Sequence, residues 1–149
     1  MELLECKHLW KSYDDTPVLK DINLKIERGK IIGLLGKNGV GKSTLIKIIN
    51  DLLVPTEGEV YINGENPGVN SKKTIAYLPE KTYLDKEMKI SEVFHYFEEF
   101  YDNFNIEKAK RLLKDLNLDI NKKISKMSKG MQEKLQLVLV MSRDADLYI

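Results

Sequence analysis

Two periods divide the chain. Short apolar runs broken by turn residues fill the first half, and helical spacing takes over in the second. Leu3 to Trp10 reads as a strand, and Tyr13-Asp14-Asp15-Thr16-Pro17 as a turn-rich loop. Val18 to Ile26 predicts a second strand, with apolar Leu19, Ile22, Leu24 and Ile26. Arg28-Gly29 then turns the chain into Ile31-Ile32-Gly33-Leu34-Leu35, an apolar run that predicts a buried strand. Thr44 to Asn50 has the spacing of a helix. Pro55-Thr56-Glu57-Gly58 marks a turn, and Val60-Tyr61-Ile62 followed by Asn63-Gly64 predicts a hairpin. Lys73 to Leu78 predicts one more strand, which Pro79 ends.

Beyond that point the pattern predicts a helical subdomain at about residues 86–126. Ser91 is the expected N-cap of a helix running to about Phe104, and Ile106 to Leu116 predicts a second. All four phenylalanines fall here, and Phe94, Phe97, Tyr101 and Phe104 form one helical stripe. Such a stripe is either the core of the subdomain or a partly exposed surface for a partner; core is the favoured reading. Lys122, Lys123, Lys126 and Lys129 read as a solvated basic face. Ser128 is placed to cap a last helix from Lys129 to Ser142, whose run Leu135, Leu137, Val138, Leu139, Val140, Met141 is apolar on nearly every side and predicts deep burial. Leu147-Tyr148-Ile149 closes the chain as an apolar strand.

Composition narrows the class. The 149 residues are one domain's worth, 42% of them hydrophobic and 32% charged, a globular balance. Lys plus Arg number 24 against 23 Asp plus Glu, so no net field draws the chain to nucleic acid or to a membrane surface. A single cysteine, Cys6, rules out an internal disulfide; its place in the first strand favours a small core residue over a reactive thiol. No apolar run reaches the roughly 18 residues that a spanning helix needs, so membrane contact is expected only through a partner.

The candidate chemistry lies between the third predicted strand and the first predicted helix. Gly36-Lys37-Asn38-Gly39-Val40-Gly41-Lys42-Ser43 fits the phosphate-binding pattern G-x-x-x-x-G-K-[ST]. Its glycines let the backbone wrap a phosphate with N–H groups turned inward, and the helix start adds unpaired N–H groups and a positive dipole end. Lys42 would reach the β- and γ-phosphates and Ser43 would face Mg²⁺. The bland alternative, a glycine-rich turn with a solvated lysine, suits neither the flanking elements nor the full pattern.

On these residues the chain resembles the ATP-binding-cassette (ABC) ATPases, with Gly36 to Thr44 similar to their Walker A segment. Four landmarks follow in that family's order. Tyr13, ahead of Val18, resembles the aromatic residue that stacks on adenine. Tyr77-Leu78-Pro79-Glu80 resembles the segment usually ending in glutamine. Met127-Ser128-Lys129-Gly130-Met131 resembles the signature motif, and Arg143 to Ile149 resembles the run into the Walker B strand. The resemblance spans the chain. It implies an α/β fold: a phosphate-loop core with a mostly parallel sheet, an antiparallel strand layer near the N-terminus (core 1–85 and 127–149), and the inserted helical subdomain.

The resemblance also implies a function. ATP and Mg²⁺ are the expected ligands, with Tyr13, Val18, Gly36, Lys37, Asn38, Gly39, Val40, Gly41, Lys42, Ser43 and Thr44 around the nucleotide. Lys42 and Glu80 are the expected catalytic residues, Ser43 and Glu80 the expected metal ligands, and Ser128 and Gly130 the groups that meet the γ-phosphate of a second, head-to-tail ATPase subunit. A transmembrane permease subunit is the other implied partner, with export favoured and a cytoplasmic place at the inner face of the membrane. Glu80 stands where glutamine is usual, adding charge beside the γ-phosphate. Lys129 and Met131 replace the usual Gly and Gln of the signature. The Walker B carboxylates, the D-loop and the switch histidine lie outside the sequence, and neither His8 nor His95 sits where that histidine would, so an N-terminal fragment without turnover is expected. A cassette ATPase of translation or DNA repair, or a nucleotide-binding module without turnover, are the competing functions.

Overall fold

The computed structural model describes residues 2–149. The chain forms two compact units, residues 1–75 and 76–149.

The first unit is built on a long antiparallel hairpin. β1 (Glu2–Tyr13) turns through Asp14-Asp15 into β2 (Thr16–Glu27), and β3 (Glu57–Ile62) pairs with the other edge of β1, giving the order β2-β1-β3. Pairs such as Leu4↔Ile26 and Cys6↔Leu24 on one side, and Leu4↔Ile62 and Cys6↔Val60 on the other, bring the apolar positions together. Leu4, Cys6, Leu9, Val60 and Ile62 are all buried. Burial pushes the Cys6 thiol up to about 11, so it stays protonated and acts as a small core residue, as expected. Asn63 and Gly64 both take positive φ, at 53° and 83°, and Ile62 bridges Glu65 across them, which is the expected two-residue turn.

Two expected strands fail in this unit, in whole or in part. Residues 31–35 form no strand: Ile31 and Leu35 are 102% and 91% exposed. An extended segment cannot satisfy its own backbone groups and becomes a strand only beside a neighbour. Among the described residues no strand lies alongside this one. Downstream, α1 (Lys42–Ile49) forms as expected and buries Leu45, Ile48 and Ile49. Residues 73 and 74, read as strand, instead end a short helix, α2 (Val69–Thr74). Lys72 there pairs with Asp51 at 2.8 Å.

The second unit is the helical one, followed by a strand pair. β4 (Ile75–Ala76) is only two residues long, against an expected strand over 73–78. The N–H of Ile149 donates to the Ala76 carbonyl at 2.9 Å and that of Leu78 to the Ile149 carbonyl at 2.7 Å, the bonding of a parallel pair. α3 (Ile90–Phe100) is capped at Lys89, two residues earlier than the expected Ser91, and the Glu92 carboxylate reaches back to the Lys89 N–H at 2.6 Å. It also stops short of Phe104. The chain leaves the helix at Tyr101, and the Phe104 ring folds back edge-on to Phe94, 6.1 Å between centroids. α4 (Ile106–Asp115) is capped by Asn105, a 3-10 turn covers Ile124–Lys126, and α5 (Lys129–Met141) is capped by Ser128. β5 (Leu147–Tyr148) ends the chain.

Phe94, Phe97 and Phe104 are buried together with Ile90, Leu113, Ile124 and Leu135, and Tyr101 packs on them. The aromatic stripe is therefore core. α5 buries Leu135, Val138, Leu139 and Val140, but Leu137 and Met141 remain 45% and 41% exposed, so the helix is less enclosed than its sequence predicts. Among the described residues no helix is long and apolar enough to cross a membrane.

Among the glycines, Gly58 has the tightest backbone approach. Its φ is 82°, and a Cβ there would run into the His8 carbonyl at the bulge where His8 itself takes φ 47°. Gly58→Ala is expected to destabilise the chain by about 3 kcal/mol, from left-handed strain plus the forced separation of β1 and β3. Denaturant unfolding measures it; a midpoint matching wild type would mean that the close approach relaxes without cost.

Candidate functional site

The phosphate loop is closed by its own lysine. Gly36 and Lys37 each direct a carbonyl at the Lys42 ammonium, which donates to both at 2.7 Å. Between them the chain turns at Asn38-Gly39, with Gly39 at φ 84°, and passes Val40 to reach Gly41 at φ 101°. Gly41 is the N-cap of α1 and the point at which the loop meets the hairpin. A Cβ on it would meet Leu19 Cδ2 at 2.8 Å and Val18 Cγ1 at 3.1 Å, and one on Gly36 would meet Val40 Cγ2 at 2.9 Å. Only glycine combines that left-handed backbone with that proximity. These contacts set the bend of the loop.

The chemistry of this cradle suits a polyphosphate. The first N–H groups of α1 sit at its positive end. α1 carries no acidic residue in its first turn, so no side chain of its own neutralises that end. The Lys42 ammonium supplies a full charge beside them. Ser43 is exposed at the helix start, where its hydroxyl would face a divalent ion that arrives with the phosphates. The residues present fit ATP with Mg²⁺.

Tyr13 ends β1, 46% exposed, and pairs with Thr16 across the turn. Two residues beyond Thr16 is Val18, which touches Gly41, so the hairpin end and the phosphate loop are neighbours within one unit. Sequence reasoning missed Lys11. Its ammonium lies 5.4 Å from the Tyr13 ring centroid and donates to the Val54 carbonyl at 2.9 Å, holding a cation over the ring. The signal was available, since residues two apart on a strand share a face.

The other expected site residues belong to the second unit. Glu80 is exposed just beyond β4. Ser128 caps α5, its hydroxyl oxygen accepting from the Met131 N–H at 3.3 Å, and a Cβ on Gly130 would meet nothing. Lys129, one of the two residues that depart from the signature pattern, pairs with Glu133 at 3.8 Å. His8 contacts Asp21 at 2.7 Å and His95 lies 3.7 Å from Glu98, both on the surface. The same unit holds a groove of about 470 Å³ lined by Tyr83, Met88, Tyr96, Phe97, Phe100 and Tyr101. Tyr96 and Phe100 stack there, 56% and 66% exposed, with centroids 5.9 Å apart.

Comparison with known proteins accords with this geometry. The family model described as ABC transporter matches residues 19–149. The SkfA peptide export ATP-binding protein SkfE of Bacillus subtilis is 30% identical over all of this chain and 65% of its own. The methionine import ATP-binding protein MetN 2 of Enterococcus faecalis is 40% identical over 65% of this chain and 27% of its own. A solved structure described as the ATP binding subunit of an ABC transporter superposes with a TM-score of 0.87, at 31% identity, over 98% of this chain and 64% of that one. The chain spans about half to two-thirds of the length of curated relatives that match it nearly end to end. A Walker A loop closed on its own lysine, in a chain matched to that family over most of its length, makes this protein a member of the ABC transporter family, on the side of its ATP-binding subunits.

Proposed function

We propose that the protein binds Mg²⁺-ATP at the 36–44 loop and, in a chain of its relatives' length, couples ATP hydrolysis to movement of a solute through a membrane permease. The observation that carries this is the Lys42 ammonium held at 2.7 Å by the carbonyls of Gly36 and Lys37. A cation tethered by neutral carbonyls gains by exchanging them for phosphate oxygens. Lys42 would then lie against the β- and γ-phosphates, Tyr13 against the adenine, and Val18 along its edge. Ser43 and the Glu80 carboxylate would hold Mg²⁺, whose part is to neutralise charge on the phosphates.

Ser128 and Gly130 would face the γ-phosphate of a second, head-to-tail ATPase subunit. The helix start that they occupy supplies N–H groups suited to an anion. Residues 86–126, the helical subdomain, would face the permease, which is the protein's link to the membrane and places it at the cytoplasmic face. Export is the direction proposed, on the likeness to SkfE and on the Lys129 and Met131 form of the signature. No role in nucleic-acid binding is proposed for a chain of nearly balanced charge.

Lys42→Ala should weaken ATP binding at least tenfold, the scale of a lost charge-assisted contact of about 1.5–3 kcal/mol, while the circular dichroism spectrum holds. Unchanged affinity in a nucleotide titration removes the reading. Tyr13→Ala should cost on the order of 1–3 kcal/mol of ATP affinity and Tyr13→Phe little. Equal losses for both would assign the effect to the hydroxyl. In the relative-length protein, Glu80→Gln should give equal or faster turnover with a shifted Mg²⁺ optimum, because it removes a negative charge near the γ-phosphate. Complete loss of activity would instead give the carboxylate a chemical role of its own.

A further inference from the structure

One buried cation in the second unit has no part in the nucleotide chemistry. Arg143 follows α5, is 6% exposed, and has its guanidinium 4.0 Å from the Tyr101 ring centroid. Its Nε donates to Asn103 Oδ1 at 3.0 Å. Asn103 answers twice: its side-chain amide donates to the Asp144 carbonyl at 2.9 Å, and its carbonyl accepts from the Asp144 N–H at 2.8 Å. The Asn105 N–H donates to the Ser142 carbonyl at 2.8 Å, and Phe104 and Arg143 form a backbone bridge. On the far side, the Tyr148 hydroxyl donates to the Arg143 carbonyl at 2.7 Å and accepts from the Ala145 N–H at 3.2 Å.

Burying a guanidinium is costly, and here the cost is met by a ring face, an amide oxygen and a doubly bonded backbone pair. What these groups join is specific. Tyr101 is part of the wall of the aromatic groove, and Tyr148 belongs to β5, whose neighbour Ile149 bonds to Ala76 and Leu78. We propose that Arg143 is a positioning residue that locks the connection between α3 and α4, with its groove-wall tyrosine, to the segment that enters β5. Movement of the groove wall is then passed to β5, and a side chain seated in the groove bears on the strand. Where this reaches hydrolysis, it rests on the function proposed above.

Arg143→Lys keeps the charge but loses the planar fork that stacks and bonds at once. By amide hydrogen exchange on the full chain, the N–H groups of Asn105, Asp144 and Ile149 should exchange about tenfold faster in this variant, while those of Ala109 and Leu118 keep wild-type rates. Asn103→Ala, which leaves Arg143 in place and removes its acceptor, should speed the same amides. Acceleration that stops at Asp144 and leaves Ile149 at its wild-type rate would overturn the proposal, as would a uniform rise at every amide. In the relative-length protein, Arg143→Lys should lower kcat several-fold at unchanged ATP affinity. An unchanged kcat there counts against transmission to the active site. A wild-type protein without turnover counts instead against the function, and the exchange pattern still judges the lock.

Discussion

Everything at the glycine-rich loop depends on a lysine that bonds backwards. Lys42 is the first residue of α1, yet its ammonium is anchored to carbonyls five and six residues earlier. A loop closed this way has already lost much of the conformational entropy that phosphate binding would otherwise have to remove. The closure requires the left-handed glycines at 39 and 41, and the second of these is pressed on Val18 and Leu19 of the hairpin. One charged side chain thereby ties loop, helix and sheet into a single object.

The hairpin gains its role from the same contact. β1 and β2 are long, with positive-φ bulge residues at His8 and Asp21 where the register shifts. The bulges add twist and aim the hairpin end, which carries Tyr13 half exposed beside the loop. Lys11 then sits over the tyrosine ring. In the second unit an analogous economy holds. Phe94, Phe97 and Phe104 form the core, each burial stabilising by about 2 kcal/mol, and the aromatics that remain outside, Tyr96 and Phe100, line the groove.

A good part of the site was legible in the residues. The phosphate loop, the Ser128 cap and the Asn63-Gly64 turn are local chemistry: a glycine where φ must be positive, a hydroxyl where a helix start needs an acceptor. The helix α4 was legible for the same reason, its apolar period being unbroken over Ile106–Asp115. The failures lie where a neighbour decides. Phe104 has the spacing to continue α3, but packing on Phe94 folds it back. Lys11 carries no motif, and only its spacing two residues before Tyr13 on one strand hinted that the two share a face.

By itself the sequence set the expected class of ligand, since the spacing of glycines, lysine and serine is the pattern of a phosphate cradle. It also put Phe94, Phe97, Tyr101 and Phe104 on one stripe for which core was the favoured reading. Tertiary structure alone decided that residues 31–35 stay unpaired, because a strand exists only through hydrogen bonds to another strand and apolar content cannot supply one. It alone decided the placement of Arg143, whose partners are a ring and an amide from the α3–α4 connection and a hydroxyl from β5. Local chemistry is written in the order of residues. Partnership between distant segments is set by packing.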